Sequence, residues 1–339
     1  MGSQNFMKMQ VGLQTAHGTA VTPTIQIPVT GTYTDKLTKR VAPYDAGTWT
    51  PTTIVSNVAY LSEVKATGDG FFELLPVWLN SAFEDVAPSA TYVHTYEVSP
   101  AAIAVPMPLT ALLGAVGENL GVTGPAVKIK DLYVQELILS GNMNTFEVSC
   151  ETTLFGGQVD DNSGAGYAFA SVALPVTLDA MKALKGGLNI DDAGTTGGAF
   201  ATMTAFAGAL LDWKLSIKPG IAPRWSGDSN ALTYGGLVYT TPVITFTPTI
   251  RTTSVNYALV KAKEEANTYQ ELELTISGTT AADSFVSQLT GRWTACPTAH
   301  ERKNGELVMT PTFTAETSHL QTTTPHYATF VNTSANNWT

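Results

Sequence analysis

Four glutamates sit in two alternating pairs, Glu147 with Glu151 and Glu271 with Glu273. Paired carboxylates can run general acid–base hydrolysis, but only across a cleft that sets one on each side of a bond. Nothing else in the sequence builds such a cleft, so the two pairs read as charged faces of strands. The histidines His17, His94, His300, His319 and His326 are scattered without the spacing of a metal site, and His300-Glu301 lacks the second histidine of a zinc helix. Gly114, Gly117 and Gly121 do not make a dinucleotide fingerprint, and neither a Gly-x-Ser-x-Gly elbow nor a phosphate loop is present. Asp160-Asp161-Asn162-Ser163-Gly164 has the wrong spacing for a calcium loop and reads as a solvated linker. The sequence therefore predicts no catalytic residue, no cofactor and no metal: a structural or binding protein, not an enzyme.

The elements that carry these residues are strands. Phe146, Val148, Cys150, Thr152 and Leu154 alternate with Thr145, Glu147, Ser149, Glu151 and Thr153, which puts the two sets on opposite faces. Leu211, Trp213, Leu215 and Ile217 follow the same rule, as do Ile244, Phe246 and Ile250, then Leu272, Leu274 and Ile276, then Leu307, Met309 and Phe313. A hairpin is predicted from Lys128 to Phe155, with its turn at 141–144 and a Gly156-Gly157 close. One helix is predicted from Gly70, capped by Asp69, with Phe72, Leu75, Leu79 and Phe83 on one face and a kink or late start at Pro76. Shorter helical pieces are predicted at 178–184 and 260–266.

The chain has 339 residues, enough for two ordinary domains, with only 14% charged residues and many threonines. The formal net charge of −10 and the absence of a basic cluster argue against tight nucleic-acid binding, which needs several phosphates neutralised. Two cysteines, Cys150 and Cys296, exclude a disulfide framework and read as buried free thiols. The first ten residues show no basic region followed by an apolar run, so synthesis in a cytoplasm is expected.

The composition break at 158–167 suggests a boundary: a first β domain over 1–160, a second over 161–322, and an extended C-terminal arm over 323–339. Residues 35–59 read as a long Thr/Pro loop reaching a neighbouring subunit through Lys36, Lys39, Arg40, Tyr44 and Trp49. Residues 101–127 read as an insert, and 186–198 as a Gly-rich stretch. Asn144-Thr145-Phe146 and Asn267-Thr268-Tyr269 open strands that hint at an internal repeat.

Taken in order, several segments carry a likeness: Gly18-Thr19-Ala20-Val21-Thr22-Pro23 with Ile27-Pro28-Val29-Thr30, the long Thr/Pro loop, the helix at 71–83, and the hairpin 128–155. Together they resemble the tail tube (major tail) proteins of long-tailed bacteriophages over about residues 9–160, and more loosely over 205–320. The resemblance implies a mainly β fold of sandwich or barrel units; most members have one, and the length and apparent duplication of this chain make two tandem units the expectation, each with a short flanking helix and long loops. It implies self-association into rings, either a trimer with pseudo-sixfold symmetry or a hexamer, stacked into a tube in the virion tail. By the same likeness the partners are the chain itself, a tape-measure protein and tail-end proteins, with double-stranded DNA passing transiently and no membrane. Glu147, Ser149, Glu151, Thr153, Glu271, Glu273 and Thr275 would then face a negative lumen that does not hold DNA. The alternative reading is a secreted or surface β-sandwich that binds carbohydrate or mediates adhesion, with a β-rich hydrolase third.

Overall fold

The computed structural model describes residues 4–44, 52–83, 93–98, 105–114, 126–162, 166–172, 174–175, 177–192, 200, 203–206, 210–225, 233–280, 282–297, 301–303, 305–316 and 328–334. The chain opens with β1 (Gln4–Phe6), β2 (Lys8–Leu13) and β3 (Ile25–Ile27), then a long ribbon of β4 (Val29–Tyr44) and β5 (Thr52–Asp69). Helix α1 (Leu75–Asn80) follows, then β6 (Val93–Val98), β7 (Leu109–Gly114), β8 (Ala126–Asn142), β9 (Glu147–Gly156) and β10 (Val159–Asp160). A 3₁₀ turn at Ala183–Lys185 leads into β11 (Gly186–Asp192), β12 (Thr204–Ala205), β13 (Leu210–Lys218), β14 (Ile221–Arg224), β15 (Gly236–Tyr239) and β16 (Val243–Arg251). A helical run, α2 (Ser254–Tyr257), a π-turn (Ala258–Ala262) and α3 (Lys263–Glu265), precedes β17 (Gln270–Ser277) and β18 (Ser284–Ala295). The last strands are β19 (Glu301–Lys303), β20 (Glu306–Met309), β21 (Thr312–Ala315) and β22 (Ala328–Thr333). The mainly β expectation holds.

All described strand pairs are antiparallel, and one path of neighbours runs β4–β5–β9–β8–β13–β16–β21–β18. Along it the apolar residues of each strand share one face: Val64, Val148, Leu139, Leu215, Phe246 and Phe313 are each fully buried. That burial is the main source of stability, at about 1.5–3 kcal/mol for each large side chain. The path crosses the composition break, because β8 pairs with β13 from Asp212↔Asn142 to Ile217↔Leu137. One continuous core likewise holds Phe72 and Leu79 together with Trp213 and Phe246. The sheet and the core thus run on across residue 160.

Two successions of strands share one pairing order. β3–β2–β7–β8–β10 has the same succession of neighbours as β12–β11–β17–β18–β22. The hairpins β4–β5 and β13–β16 each precede a helix and each lie beside a returning strand, β9 or β21. In this correspondence β9 matches β21, not β17, so the two Asn-Thr-aromatic triplets do not mark equivalent strands. The equivalent of β8 is β18, and both change partners midway along their length. β8 does so where Asp131 takes φ 57, a left-handed conformation held by Gly18 N–H donating to Asp131 Oδ1 at 2.6 Å.

Several expectations need correction. The C-terminal arm is a sheet strand: β22 lies between β18 and β6, and Phe330 stacks on Phe285 (6.4 Å) and Phe83 (6.0 Å). The 35–59 "loop" is the outer half of the β4–β5 ribbon, paired out to Tyr44↔Thr52. The 101–127 insert contains β7, a strand between β2 and β8, and the Gly-rich stretch contains β11 beside β17. The strand expected from the alternation of Leu307, Met309 and Phe313 is broken into β20 and β21, leaving Leu307 45% exposed. Helix α1 does start late, with Pro76 in its first turn, but no side chain caps it and all six residues are buried. At 178–184 only the 3₁₀ turn forms, whereas the second helical run begins earlier than expected, at Ser254. The 128–155 hairpin forms nearly as predicted, and both cysteines are free and buried.

Candidate functional site

The face opposite the core is largely polar, apart from an apolar cluster of Leu61, Tyr133 and Phe155 on β5, β8 and β9. Moving across the path of strands it presents Thr30, Thr32 and Thr34, then Glu63, Lys65 and Thr67, then Glu147, Ser149, Glu151 and Thr153. It continues through Glu136 and Ser140, Asp212, Lys214 and Ser216, then Thr245, Thr247 and Thr249, and ends at Thr314, Arg292 and Thr294. The threonines are there because β-branched residues suit a pleated, half-exposed face while their hydroxyls keep it wet. Thr294 Oγ1 and Thr314 Oγ1 lie 3.0 Å apart across β18 and β21.

This surface is of mixed charge, not the uniformly negative one expected. Glu63 is paired with Lys36 and lies 3.5 Å from Lys65 Nζ, and the Lys36 contact holds its carboxyl below the usual range. Lys218 Nζ is 3.5 Å from Glu136 Oε1, which also accepts from Ser216 Oγ at 2.9 Å. Lys303 pairs with Asp212, and Arg292 with Glu316. Arg251 donates twice to Glu306, at 2.9 Å each. Glu147 and Glu151 are exposed and join no ion pair among the described residues.

The structure brings together only part of the expected wall. Glu147, Ser149, Glu151 and Thr153 share the polar face of β9. Glu271, Glu273 and Thr275 lie on β17, beyond β18 at the far end of the path, so the two glutamate pairs do not meet. Glu271 is buried and accepts from Phe200 N–H at 3.0 Å; Glu273 accepts from Asn189 at 3.1 Å and Gln288 at 2.8 Å. Of the expected inter-subunit contacts, Lys36 sits on β4 in its ion pair with Glu63. Lys39, Arg40 and Tyr44 have backbones in β4 opposite Asn57, Ser56 and Thr52, while Trp49 lies outside the described residues.

Alternation could not reveal the two ends of this sheet. Among the described residues β4 pairs with β5 along its length but is covered on its other side only by β1, at Gln4↔Tyr33, Asn5↔Thr32 and Phe6↔Gly31. Toward the other end, β18 has its last β17 partner at Gly291, so residues 292–295 are paired only with β21, and β19 pairs only with β20 among the described residues, which together leave a β18–β19 edge. Edge N–H and C=O groups left in this way are templates for another strand.

A second cluster joins the two halves. His17 Nε2 lies 3.1 Å from Tyr234 O, and its ring is stacked near Tyr133, at 6.3 Å between centroids. Tyr234 donates its hydroxyl to Asp131 O, and burial pushes its phenol well above the ordinary range. With Phe155 and Ile221 these rings pin the β14–β15 ribbon against β8. No group of three or more His, Cys, Asp or Glu among the described residues could hold a metal ion, and no described helix is long and apolar enough to cross a membrane. No protein-family model matches the chain, and no curated protein matches it either.

Proposed function

We propose that this chain is a structural virion protein, the subunit of a phage-type tail tube, assembling through its sheet ends into rings that stack into a hollow tube. The observation that carries this reading is the long antiparallel sheet with one buried face, one threonine-rich wet face, and two ends that other copies can complete. Contacts that use two different edges make closed rings when the rotation closes. The pairing order, repeated within the chain, favours a trimeric ring of six similar units over a hexamer. The wet face then lines the lumen, where threonine hydroxyls and mixed charges offer DNA no run of lysines to bind. The β4–β5 ribbon extends past the sheet and is the element suited to reach an adjacent ring, with a tape-measure protein inside during assembly.

Negative-stain microscopy and solution mass of the purified protein test this reading. Uniform hollow rings or tubes are expected as concentration rises. A monomer at every concentration, including with crowding agents, sinks it.

A further inference from the structure

The in-chain ladder β8·β13 is a template for the contact between chains. It joins the equivalent of β18 in the first half to the equivalent of β4 in the second, so the matching contact between copies sets the β18–β19 edge of one against β4 of the next. The position of that contact on β4 can be counted. β5 and β16 end before their helices at Asp69 and Arg251; five residues back stand Val64 and Phe246, whose partners are Tyr33 and Leu215. Both partners face the core, which checks the alignment. Leu215 is paired with Leu139, and Trp213 with Gly141. Tyr33 is paired with Gln4, and Gly31 with Phe6.

Within a single chain, β1 therefore occupies the stretch of β4 that the repeat assigns to another strand. We propose that β1 is a removable cover, and that residues 31–33 of β4 are the docking edge for the β18–β19 edge of a second copy, which displaces β1 on assembly. This rests on the tube reading. β1 suits the role because it is only three residues long, with Gln4 and Asn5 exposed and Phe6 alone buried. Its hold is one aromatic side chain, the Tyr33 hydroxyl donating to Gln4 Oε1, and a short ladder. A longer incoming strand can offset each of these. The cover also blunts the edge before assembly, when an open strand invites unordered pairing.

A disulfide across the cover tests it. Asn5→Cys with Thr32→Cys places two thiols at directly paired, solvent-facing positions, while the native cysteines are buried. The oxidised variant should lose the pelletable, ring-forming fraction seen for the parent protein, keep its thermal unfolding midpoint, and regain assembly on reduction. A chain starting at Met7 should assemble faster than the parent. Assembly of the oxidised variant at the parental yield overturns the cover while leaving the tube reading intact. Failure of the parent itself to form rings overturns both.

Discussion

Gly141 shows how little room the β8·β13 ladder leaves. A Cβ there would stand 2.2 Å from Trp213 Nε1 and 2.3 Å from Cε2, so the indole occupies the space that any other residue would need. Gly141→Ala should lower the free energy of unfolding by about 1–3 kcal/mol in denaturant titration, as overpacking does. Ser140→Ala on the wet face of the same strand should change it by less than about 0.5 kcal/mol. The titrating groups point the same way along the pH scale. Burial raises Cys150 from 9.0 to about 12, and raises the phenols of Tyr133 and Tyr234 above their ordinary 10.0. Their folded-state values exceed the unfolded ones, so the stability they contribute is complete below pH 9 and is lost as pH rises toward 12. Thermal midpoints should be flat from pH 7 to 9 on account of these groups and fall progressively above that. A midpoint that rises above pH 9 would contradict the burial of these side chains.

Strands with one buried face were legible, because packing on one side and water on the other writes a period of two into the sequence. The 147–156 strand and the 213–217 alternation are examples. The β4–β5 ribbon was illegible beyond Leu61 because its threonines and prolines read as loop, and the strands there pair only with each other, past the last partner on β9. β22 was missed because six residues after a polar stretch give too short a window, and only the tertiary partners of Phe330 reveal it. The same partners make a prediction. Ending the chain at residue 322 should expose Phe83, Phe285 and the β6 edge, giving insoluble protein or a large drop in thermal midpoint; a true arm could be removed without either. In α1 the fully enclosed Trp78 should cost about 3–5 kcal/mol when changed to Ala, read by the same unfolding curves.

At the scale of the whole molecule, the two glutamate pairs expected on one wall lie on strands that are not neighbours. β9 faces the wet side as its alternation required, and the register carries Glu271 and Glu273 onto the same side of the sheet as Arg292 and Thr314, but alternation cannot say how many strands separate two faces, and β17 falls at the other end of the sheet. Glu147→Lys with Glu151→Lys should leave ring formation intact and slow DNA release, measured as ejection kinetics of particles carrying the variant; unchanged kinetics would remove β9 from the lumen. Replacing residues 38–59 with a two-residue Asn-Gly turn should leave single rings that do not stack, visible by microscopy. Continuous tubes from that variant would assign stacking to other elements.

The seat of β22 between β18 and β6 also orders events in time. β6 leaves the ribosome long before its neighbour does, an interval on the order of ten seconds or more at ordinary translation speeds. Until then β6 lacks the strand that joins it to β18. On the tube reading, subunits with β6 covered and Phe330 seated therefore exist only once synthesis has passed residue 333.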